Sequence, residues 1–185
     1  LYGMMRILSG AFGVTVVCSH HKGTESNMNG ITNCAFDPLV ERKLGIDAVS
    51  SAALQARRYM TRYGVHEEQM ALVSVKNHGN AMKNPLAMLP MEISVADVMN
   101  SRKVADPLKL LDCSPVTDGA CTLILAAERQ AKKLSTNKKR VWLQGVGHCS
   151  DAFRLGDRDL SDTRALKDAT KRAYSMAGIA DPLKE

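Results

Sequence analysis

The segment from Asp112 to Ala126 holds the residues best placed to contact a ligand. Its sequence is Asp-Cys-Ser-Pro-Val-Thr-Asp-Gly-Ala-Cys-Thr-Leu-Ile-Leu-Ala, a polar turn that leads into an apolar run. Pro115 fixes one φ angle, and Gly119 admits a backbone approach that a Cβ would block. The apolar run predicts a strand buried on both faces, entered by a loop that presents the hydroxyl of Ser114 to a bound molecule. The simpler alternative is a turn serine that bonds its own backbone.

Cysteine is the other residue type here that could carry chemistry as a nucleophile. Cys18 and Cys121 fall in predicted buried strands, where a thiol has a raised pKa and behaves as a small apolar group. Cys113 has no base near it in the sequence. His148 and Cys149 are direct neighbours, so their side chains diverge on a strand or at its end. The sequence therefore predicts no catalytic cysteine in this chain. Of the four cysteines considered, Cys149 is excluded on the weakest grounds.

The histidines suggest a metal site or a catalytic dyad, and both interpretations are weaker than a structural one. His20 and His21 are followed by Glu25, but adjacent histidines in a strand point to opposite faces and rarely share one metal ion. Asn77 and His78 lie on the face of a predicted helix, where a packing or exposed pair is the favoured interpretation. We therefore predict no metal site.

Composition limits the class of protein. The chain has 185 residues, of which 45% are apolar, enough to bury the core of about one domain or somewhat more. Three Phe, four Tyr and one Trp are too few for a platform that stacks single-stranded nucleic acid. The five cysteines include no Cys-x-x-Cys pair, which predicts reduced thiols in a cytoplasmic protein. No apolar run approaches the ~20 residues of a membrane span, and there is no signal-peptide pattern.

The charge distribution argues further against nucleic acid as a partner. The net charge is +6 and the isoelectric point is near 9.1, but the basic residues are scattered along the chain. One cluster stands out and is interpreted first as a solvated linker; it comprises Lys132, Lys133, Lys138, Lys139 and Arg140. A basic surface also suits a ligand that carries several phosphates.

The predicted elements alternate in a pattern typical of a layered α/β protein. The residues Val14–Cys18, 121–126 and 141–147 are predicted as strands from their β-branched and apolar content. Six helices are predicted, most of them from the residues that start or stop a helix. The first ends at Gly10, the second is capped by Asp47 and stopped by Gly64, the third runs from near Glu67 to Asn84–Pro85, the fourth is capped by Ser94, the fifth covers Glu128–Leu134, and the sixth is capped by Asp162 or Thr163 and ended by Gly178.

Taken in order, four motifs of this chain resemble the thiolase superfamily. The resemblance covers essentially all 185 residues and is closest to the sterol-carrier-protein-type and archaeal acetoacetyl-CoA thiolases. The motifs are Val73-Ser74-Val75-Lys76-Asn77-His78, Asn84-Pro85, Val104-Ala105-Asp106-Pro107-Leu108-Lys109-Leu110-Leu111, and the segment that begins at Asp112.

The resemblance implies an α/β fold of thiolase type: part of a layered α/β/α structure with a mixed five-stranded sheet and an inserted helical loop domain. It also divides the chain. The implied segments are 1–29 as the end of the N-terminal thiolase half, 30–111 as the loop domain over the acyl-CoA channel, 112–137 as the last strand and helix of that half, and 138–185 as the start of the C-terminal half.

The resemblance also implies that the residues that perform the chemistry lie outside this chain. The nucleophilic cysteine of a thiolase sits at a helix N-terminus, about two turns before the position that Leu1 matches. The family's Asn/His-containing and Gly-His-Pro segments would follow Glu185. A chain that starts with Leu rather than Met fits a fragment. We therefore expect no catalytic residue in this chain.

The function implied is that of an acyl-CoA C-acyltransferase, which cleaves a 3-ketoacyl-CoA by thiolysis or condenses acyl-CoA through a cysteine acyl-enzyme. Coenzyme A is a substrate, and neither a cofactor nor a metal is implied. Ser114 matches the family serine that contacts the pantetheine arm. Arg102 and Lys103 are candidates for the CoA phosphates, with a solvated charge pair as the alternative, and Lys43 is a further candidate of the same kind. A homodimer or homotetramer is expected, and a small zinc-ribbon/OB-fold protein is a candidate partner.

Two other functions remain open at this point. One is another condensing enzyme of the superfamily, a hydroxymethylglutaryl-CoA synthase or a ketoacyl synthase. The other is a non-catalytic subunit that binds acyl-CoA or acts as a scaffold. The second alternative would leave an apolar sheet edge exposed, which favours aggregation.

Overall fold

The computed structural model describes residues 1–134 and 139–184, and the chain forms a mixed α/β fold, as the sequence predicts. Short 3₁₀ turns cover Gly23–Glu25, Leu110–Asp112 and Leu155–Asp157. The helices and strands are, in order, α1 Tyr2–Leu8, β1 Val14–Lys22, α2 Met28–Asn33, α3 Ala48–Tyr63, α4 Glu67–Ala81, α5 Val95–Asn100, β2 Lys103–Ala105, β3 Leu108–Lys109, β4 Asp118–Ala126, α6 Glu128–Leu134 and α7 Arg164–Ala177.

The chain divides into two compact units. The first unit comprises Leu1–His21, Asp118–Ser150 and Arg164–Glu185, and the second comprises Lys22–Thr117 and Asp151–Thr163. The four segments predicted from the sequence stay a prediction. Their boundary at 137/138, and Lys138 of the basic cluster, lie outside the described residues.

In the first unit, β1 and β4 pair with each other in a two-stranded sheet. The amide of Ala127 donates to the carbonyl of Gly13 at 2.9 Å, and the hydroxyl of Thr122 lies 3.4 Å from the sulfur of Cys18. Because the residue numbers rise on one strand as they fall on the other, the pair is antiparallel. Helix α1 packs closely on this sheet: a Cβ on the buried Gly3 would lie 2.8 Å from side-chain atoms of both Leu125 and Val17.

The prediction that these strands are buried, β4 on both of its faces, is wrong for this chain. Val16 and Leu123 are each 57% exposed and Ile124 is 70% exposed. Cys18 and Cys121, which were expected to be buried with them, are exposed as well. An apolar strand is buried only where a layer covers each face, and within the described residues α1 and its neighbours cover this sheet incompletely.

The strand predicted over 141–147 does not form. The backbone of residues 139–150 is neither helix nor strand. The segment instead packs directly on α7, where a Cβ on Gly147 would overlap the carbonyl oxygen of Ala169 and one on Gly145 would overlap that of Ala173. A β-rich sequence becomes a strand only when a second strand accepts its hydrogen bonds, and none of the strands in the described residues pairs with this segment.

The helix boundaries in the second unit follow from the capping residues that the sequence shows. Asp47 accepts a hydrogen bond from the amide of Ser50 at 2.8 Å, and Gly64 ends α3 in the left-handed conformation. Ser94 accepts from the amide of Asp97 at 3.2 Å and begins α5. These side chains satisfy amides at the helix N-termini that no intrahelical carbonyl can reach. The caps predicted at Asp47, Gly64 and Ser94 are thus confirmed.

One helix and two strands of the second unit are not predicted from the sequence. Helix α2 begins after Asn27, whose side chain accepts from the amide of Gly30 at 3.2 Å, and the sequence there is interpreted as a loop because it is rich in Gly and Asn. Strands β2 and β3 form an antiparallel hairpin, with Lys103 opposite Lys109. Such short elements lack the periodicity on which sequence prediction depends.

Buried acidic groups hold the segment 151–163 in the second unit. Glu41, which is buried, accepts a hydrogen bond from the amide of Leu155 at 2.5 Å, and the buried Asp37 lies 3.5 Å from the guanidinium of Arg154. Arg62 on α3 donates to Asp159 at 2.6 Å. Each buried carboxylate therefore has a donor, which its burial requires.

Candidate functional site

A groove in the second unit contains the predicted binding serine. Its volume is about 310 Å³, within the range of small-molecule sites. One wall comes from the C-terminal half of α4, and the other from the segment that follows β3. The lining residues are Ser74, Asn77, His78, Ala81, Leu89, Leu111, Asp112, Cys113, Ser114 and Pro115.

The wall from α4 is a single helix face. Ser74, Asn77, His78 and Ala81 are spaced i, i+3, i+4 and i+7, and residues so spaced lie above one another along a helix. Asn77 and His78 are predicted as a packing or exposed pair; the structure leaves Asn77 exposed and His78 half-buried, and both line the groove. The spacing is the sequence signal that indicates a shared face, although it does not say what the face contacts.

Asp112 fixes the opposite wall. One oxygen of its carboxylate accepts from the backbone amide of Lys109 at 2.9 Å, and the other lies 3.4 Å from the hydroxyl of Ser74 on α4. The carboxylate therefore connects the two walls immediately before Cys113 and Ser114. These bonds restrain the backbone at Asp112. They therefore also restrain the position of Ser114, which follows two residues later.

A buried ion pair ties the start of α4 to the same segment. Lys109 is 3% exposed, and its ammonium donates to the carboxylate of Glu67 at 2.5 Å and to the carbonyl of Pro107 at 3.4 Å. The hydrogen bond from Lys109 holds the pKa of Glu67 below its ordinary value. The first turn of α4 and the residues just before Asp112 are thus fixed to each other at the far end of the helix from Ala81.

In the described residues the groove is chemically mixed and lacks strongly basic side chains. Among its lining residues in the described part of the chain there is no lysine or arginine, and Asp112 is the charged member. Hydroxyl and amide groups alternate with the apolar surfaces of Ala81, Leu89 and Leu111. Such a groove is unsuited to phosphate and suited to a neutral chain in which amide groups alternate with methylene groups.

Cys113 lies in the groove, half-buried and directly after Asp112. Burial raises its pKa above the ordinary value, and the negative charge of Asp112 raises it further. Since the thiolate is the nucleophile, this environment disfavours nucleophilic catalysis. Cys149, the weakest exclusion from the sequence, has its thiol 3.8 Å from the carbonyl of its neighbour Ser150. The absence of a catalytic cysteine stays a prediction.

The three basic candidates for CoA phosphates do not line the groove. Lys103 forms an ion pair with Asp106 at 3.0 Å and is exposed, while Arg102 and Lys43 are also exposed. Of the predicted binding residues, Ser114 alone lies in the groove. Ser74 and Asp112 lie in the quoted motifs and Leu89 lies in none, but no site role is predicted for any of the three, because their roles depend on contacts between distant segments.

The structure brings together no metal-binding cluster in the part that it describes. His20 and His21 are exposed near the end of β1, and Glu25 pairs with Lys22. Over residues 1–134 and 139–184, no group of three or more His, Cys, Asp or Glu side chains is placed to hold a metal ion. None of the helices in these residues combines the length and the apolar character that crossing a membrane requires.

Comparison with known proteins identifies the family of this chain. The chain is 37% identical over 179 residues to the acetyl-CoA acetyltransferase of Methanothermobacter thermautotrophicus, a match that covers 96% of this chain and 46% of that protein. The chain thus spans about half the length of the curated relatives it matches. No family model matches the chain.

Several solved structures share the fold. The Ltp2-ChsH2(DUF35) aldolase superposes with a TM-score of 0.80 at 22% identity, covering 96% of this chain and 47% of that one. A monomeric SCP2-thiolase-like protein type 1 from Mycobacterium smegmatis gives a TM-score of 0.74 at 23% identity, covering 95% of this chain and 38% of that one. The relatives and the shared fold agree with the order of motifs in the sequence: the chain belongs to the thiolase superfamily.

Proposed function

We propose that the groove binds the pantetheine arm of coenzyme A, with Ser114 hydrogen-bonded to one of its amides. The observation that carries the proposal is the lining of the groove. Its hydroxyl, amide and apolar groups match a chain of amides and methylenes, and it contains Ser114, the residue that resembles the pantetheine-contacting serine of thiolases. The acetyl-CoA acetyltransferase relatives support the same class of ligand.

The whole protein is, on this proposal, an acyl-CoA C-acyltransferase. A cysteine thiolate outside this chain would attack the 3-keto carbon of a 3-ketoacyl-CoA. The bond between C2 and C3 would break, the acetyl-CoA carbanion would take a proton, and a second CoA thiol would then release the acyl group. The residues of this chain would hold and orient the CoA thioester and supply no reacting atom. No cofactor is part of the proposal, and the assembly proposed is a homodimer or homotetramer.

A second candidate function is a subunit that binds acyl-CoA and serves as a scaffold. One solved structure with this fold is the Ltp2-ChsH2(DUF35) aldolase, and its DUF35 component supports a partner protein for this chain. We propose a small zinc-ribbon/OB-fold protein as that partner. A thiolysis assay of the whole protein with acetoacetyl-CoA separates the candidates, because the scaffold subunit predicts CoA binding without thiolysis even when the partner is added.

The binding proposal is tested by titration calorimetry of coenzyme A against the chain and its Ser114→Ala variant. Loss of one hydrogen bond in the groove should weaken binding by about threefold to tenfold. Ser150→Ala is the matched control, because Ser150 is exposed and belongs to the other unit. Equal affinity in Ser114→Ala and Ser150→Ala would contradict the contact, and no binding by the unsubstituted chain would contradict the proposal.

A further inference from the structure

The loop that follows α4 exposes apolar side chains beside the groove. Leu86 is 87% exposed and Met88 is 62% exposed, and Pro85 and Pro90 keep this stretch out of a helix. We call residues 85–91 the apolar loop. Its own hydrogen bonds near Pro85 are local: the amides of Leu86 and Ala87 donate to the side-chain and backbone oxygens of Asn84, at 3.0 and 3.1 Å.

One hydrogen bond connects the apolar loop to α4 at the wall of the groove. The Nδ1 atom of His78 lies 3.0 Å from the carbonyl oxygen of Leu89. A carbonyl oxygen only accepts, so Nδ1 carries the proton in this contact. His78 and Leu89 both line the groove, which places this bond at its margin. The position of Leu89 therefore depends on a side chain eleven residues earlier.

Leu89 supplies apolar surface to a groove whose other wall carries Ser114. It is 41% exposed, which leaves a large part of its side chain available to a ligand. The few methylenes of a pantetheine arm use only part of that surface, and the alkyl part of an acyl group adds roughly 0.8 kcal/mol for each further methylene that it buries. The apolar loop thus offers a surface for the hydrocarbon portion of an acyl-CoA.

We propose that His78 is a positioning residue that holds Leu89 in the wall of the groove, and that this wall makes the site prefer acyl-CoA with an alkyl chain over free coenzyme A. The inference rests on the proposed function, because it assigns a substrate class to the same groove. It adds a determinant of acyl preference in the apolar loop, with His78 acting through Leu89 rather than on the ligand.

The test compares the affinities of the chain for hexanoyl-CoA and for CoA by titration calorimetry, and uses their ratio as the readout. We expect the unsubstituted chain to bind hexanoyl-CoA about fivefold to tenfold more tightly than CoA. His78→Ala should bring the ratio close to one. His78→Asn should keep it, because the Asn Nδ2 donor is attached to Cγ as Nδ1 of histidine is. A general loss of stability would weaken the binding of both ligands and leave the ratio of their affinities unchanged.

Leu89→Ser provides a second variant that leaves α4 untouched. It should also bring the ratio close to one, while hydrogen exchange at residues 86–91 should rise in His78→Ala and not in His78→Asn. A ratio that stays high in both His78→Ala and Leu89→Ser would overturn the inference, as would equal binding of the two ligands by the unsubstituted chain. If that chain binds neither ligand, the proposed function itself fails, and this inference fails with it.

Discussion

Replacing Glu67 by alanine will lower the free energy of unfolding by about 2–4 kcal/mol, measured by urea denaturation followed by circular dichroism. The substitution leaves the ammonium of Lys109 buried with the carbonyl of Pro107 as its remaining polar contact in the described structure. An uncompensated buried charge is among the largest sources of instability that a single substitution creates. The expected value lies below the full range for wholly buried pairs because the Glu67 side chain is 23% exposed.

Glu68→Ala is the matched control for this measurement. Glu68 occupies the same acidic first turn of α4, so its removal costs a similar interaction with the helix dipole, but its side chain is exposed. We expect a loss of less than about 1 kcal/mol. Equal losses in Glu67→Ala and Glu68→Ala would show that the pair with Lys109 contributes nothing beyond the dipole.

The pH dependence gives the same pair a second signature. The pKa of Glu67 is lowered in the folded state, so its contribution to stability is fully present above its ordinary pKa and is lost as the pH falls through the lowered value. The difference in stability between the unsubstituted chain and Glu67→Ala should therefore be constant near neutral pH and shrink below about pH 4. A difference that grows on acidification would contradict this assignment.

Replacing Ala81 by phenylalanine will weaken binding of coenzyme A by about thirtyfold or more, equivalent to about 2 kcal/mol, as measured by titration calorimetry. Ala81 is the last residue of α4 and lines the groove, so a phenyl ring there would occupy volume that the pantetheine arm requires. Because Ala81 is half-buried at the end of the helix, the ring has room to enter the groove without displacing the core.

Asn80→Phe carries the same ring one residue earlier, on a side chain that is exposed and does not line the groove. We expect its affinity to stay within about twofold of the unsubstituted value. Both variants should keep the circular dichroism spectrum of the unsubstituted chain. If Ala81→Phe binds coenzyme A as tightly as Asn80→Phe does, the ligand site lies elsewhere.

Helices α3 and α5 could be predicted because their ends are encoded locally. Asp47 and Ser94 cap amides within three residues of themselves, and Gly64 ends a helix through its own backbone angle. Such signals need no knowledge of the rest of the fold. The family could be recognised for a related reason, since its motifs keep their order along the chain.

The groove could be predicted only in part. Ser114 was found because it lies in a distinctive turn, whereas Asp112 becomes part of the site through Ser74, which is 38 residues away in sequence. The contact between His78 and Leu89 depends in the same way on the path of a loop. A single sequence contains no local pattern that specifies such contacts.

The environment of the strands was predicted wrongly for a different physical reason. Val16 and Ile124 have the composition of buried strand residues, yet both are exposed here. Composition reports what a strand is suited to pack against, and the covering layers must come from other segments. The same applies to 141–147, which has the composition of a strand but packs on α7.

The most direct test of the account is whether a CoA thioester protects Cys113 from alkylation. Cys113 lines the groove beside Ser114 and is half-buried, while Cys34 and Cys121 are exposed and serve as internal controls. Acetyl-CoA is the suitable ligand because its own thiol is blocked. Labelling by iodoacetamide would be followed for each cysteine by mass spectrometry of its peptide.

We predict that Cys113 reacts more slowly than both controls even without ligand, because its pKa is raised. Acetyl-CoA at about ten times its dissociation constant should slow Cys113 by a further factor of about ten and leave Cys34 and Cys121 unchanged. Equal labelling rates at Cys113 with and without acetyl-CoA would contradict the account, because a ligand that occupies the groove must cover this thiol.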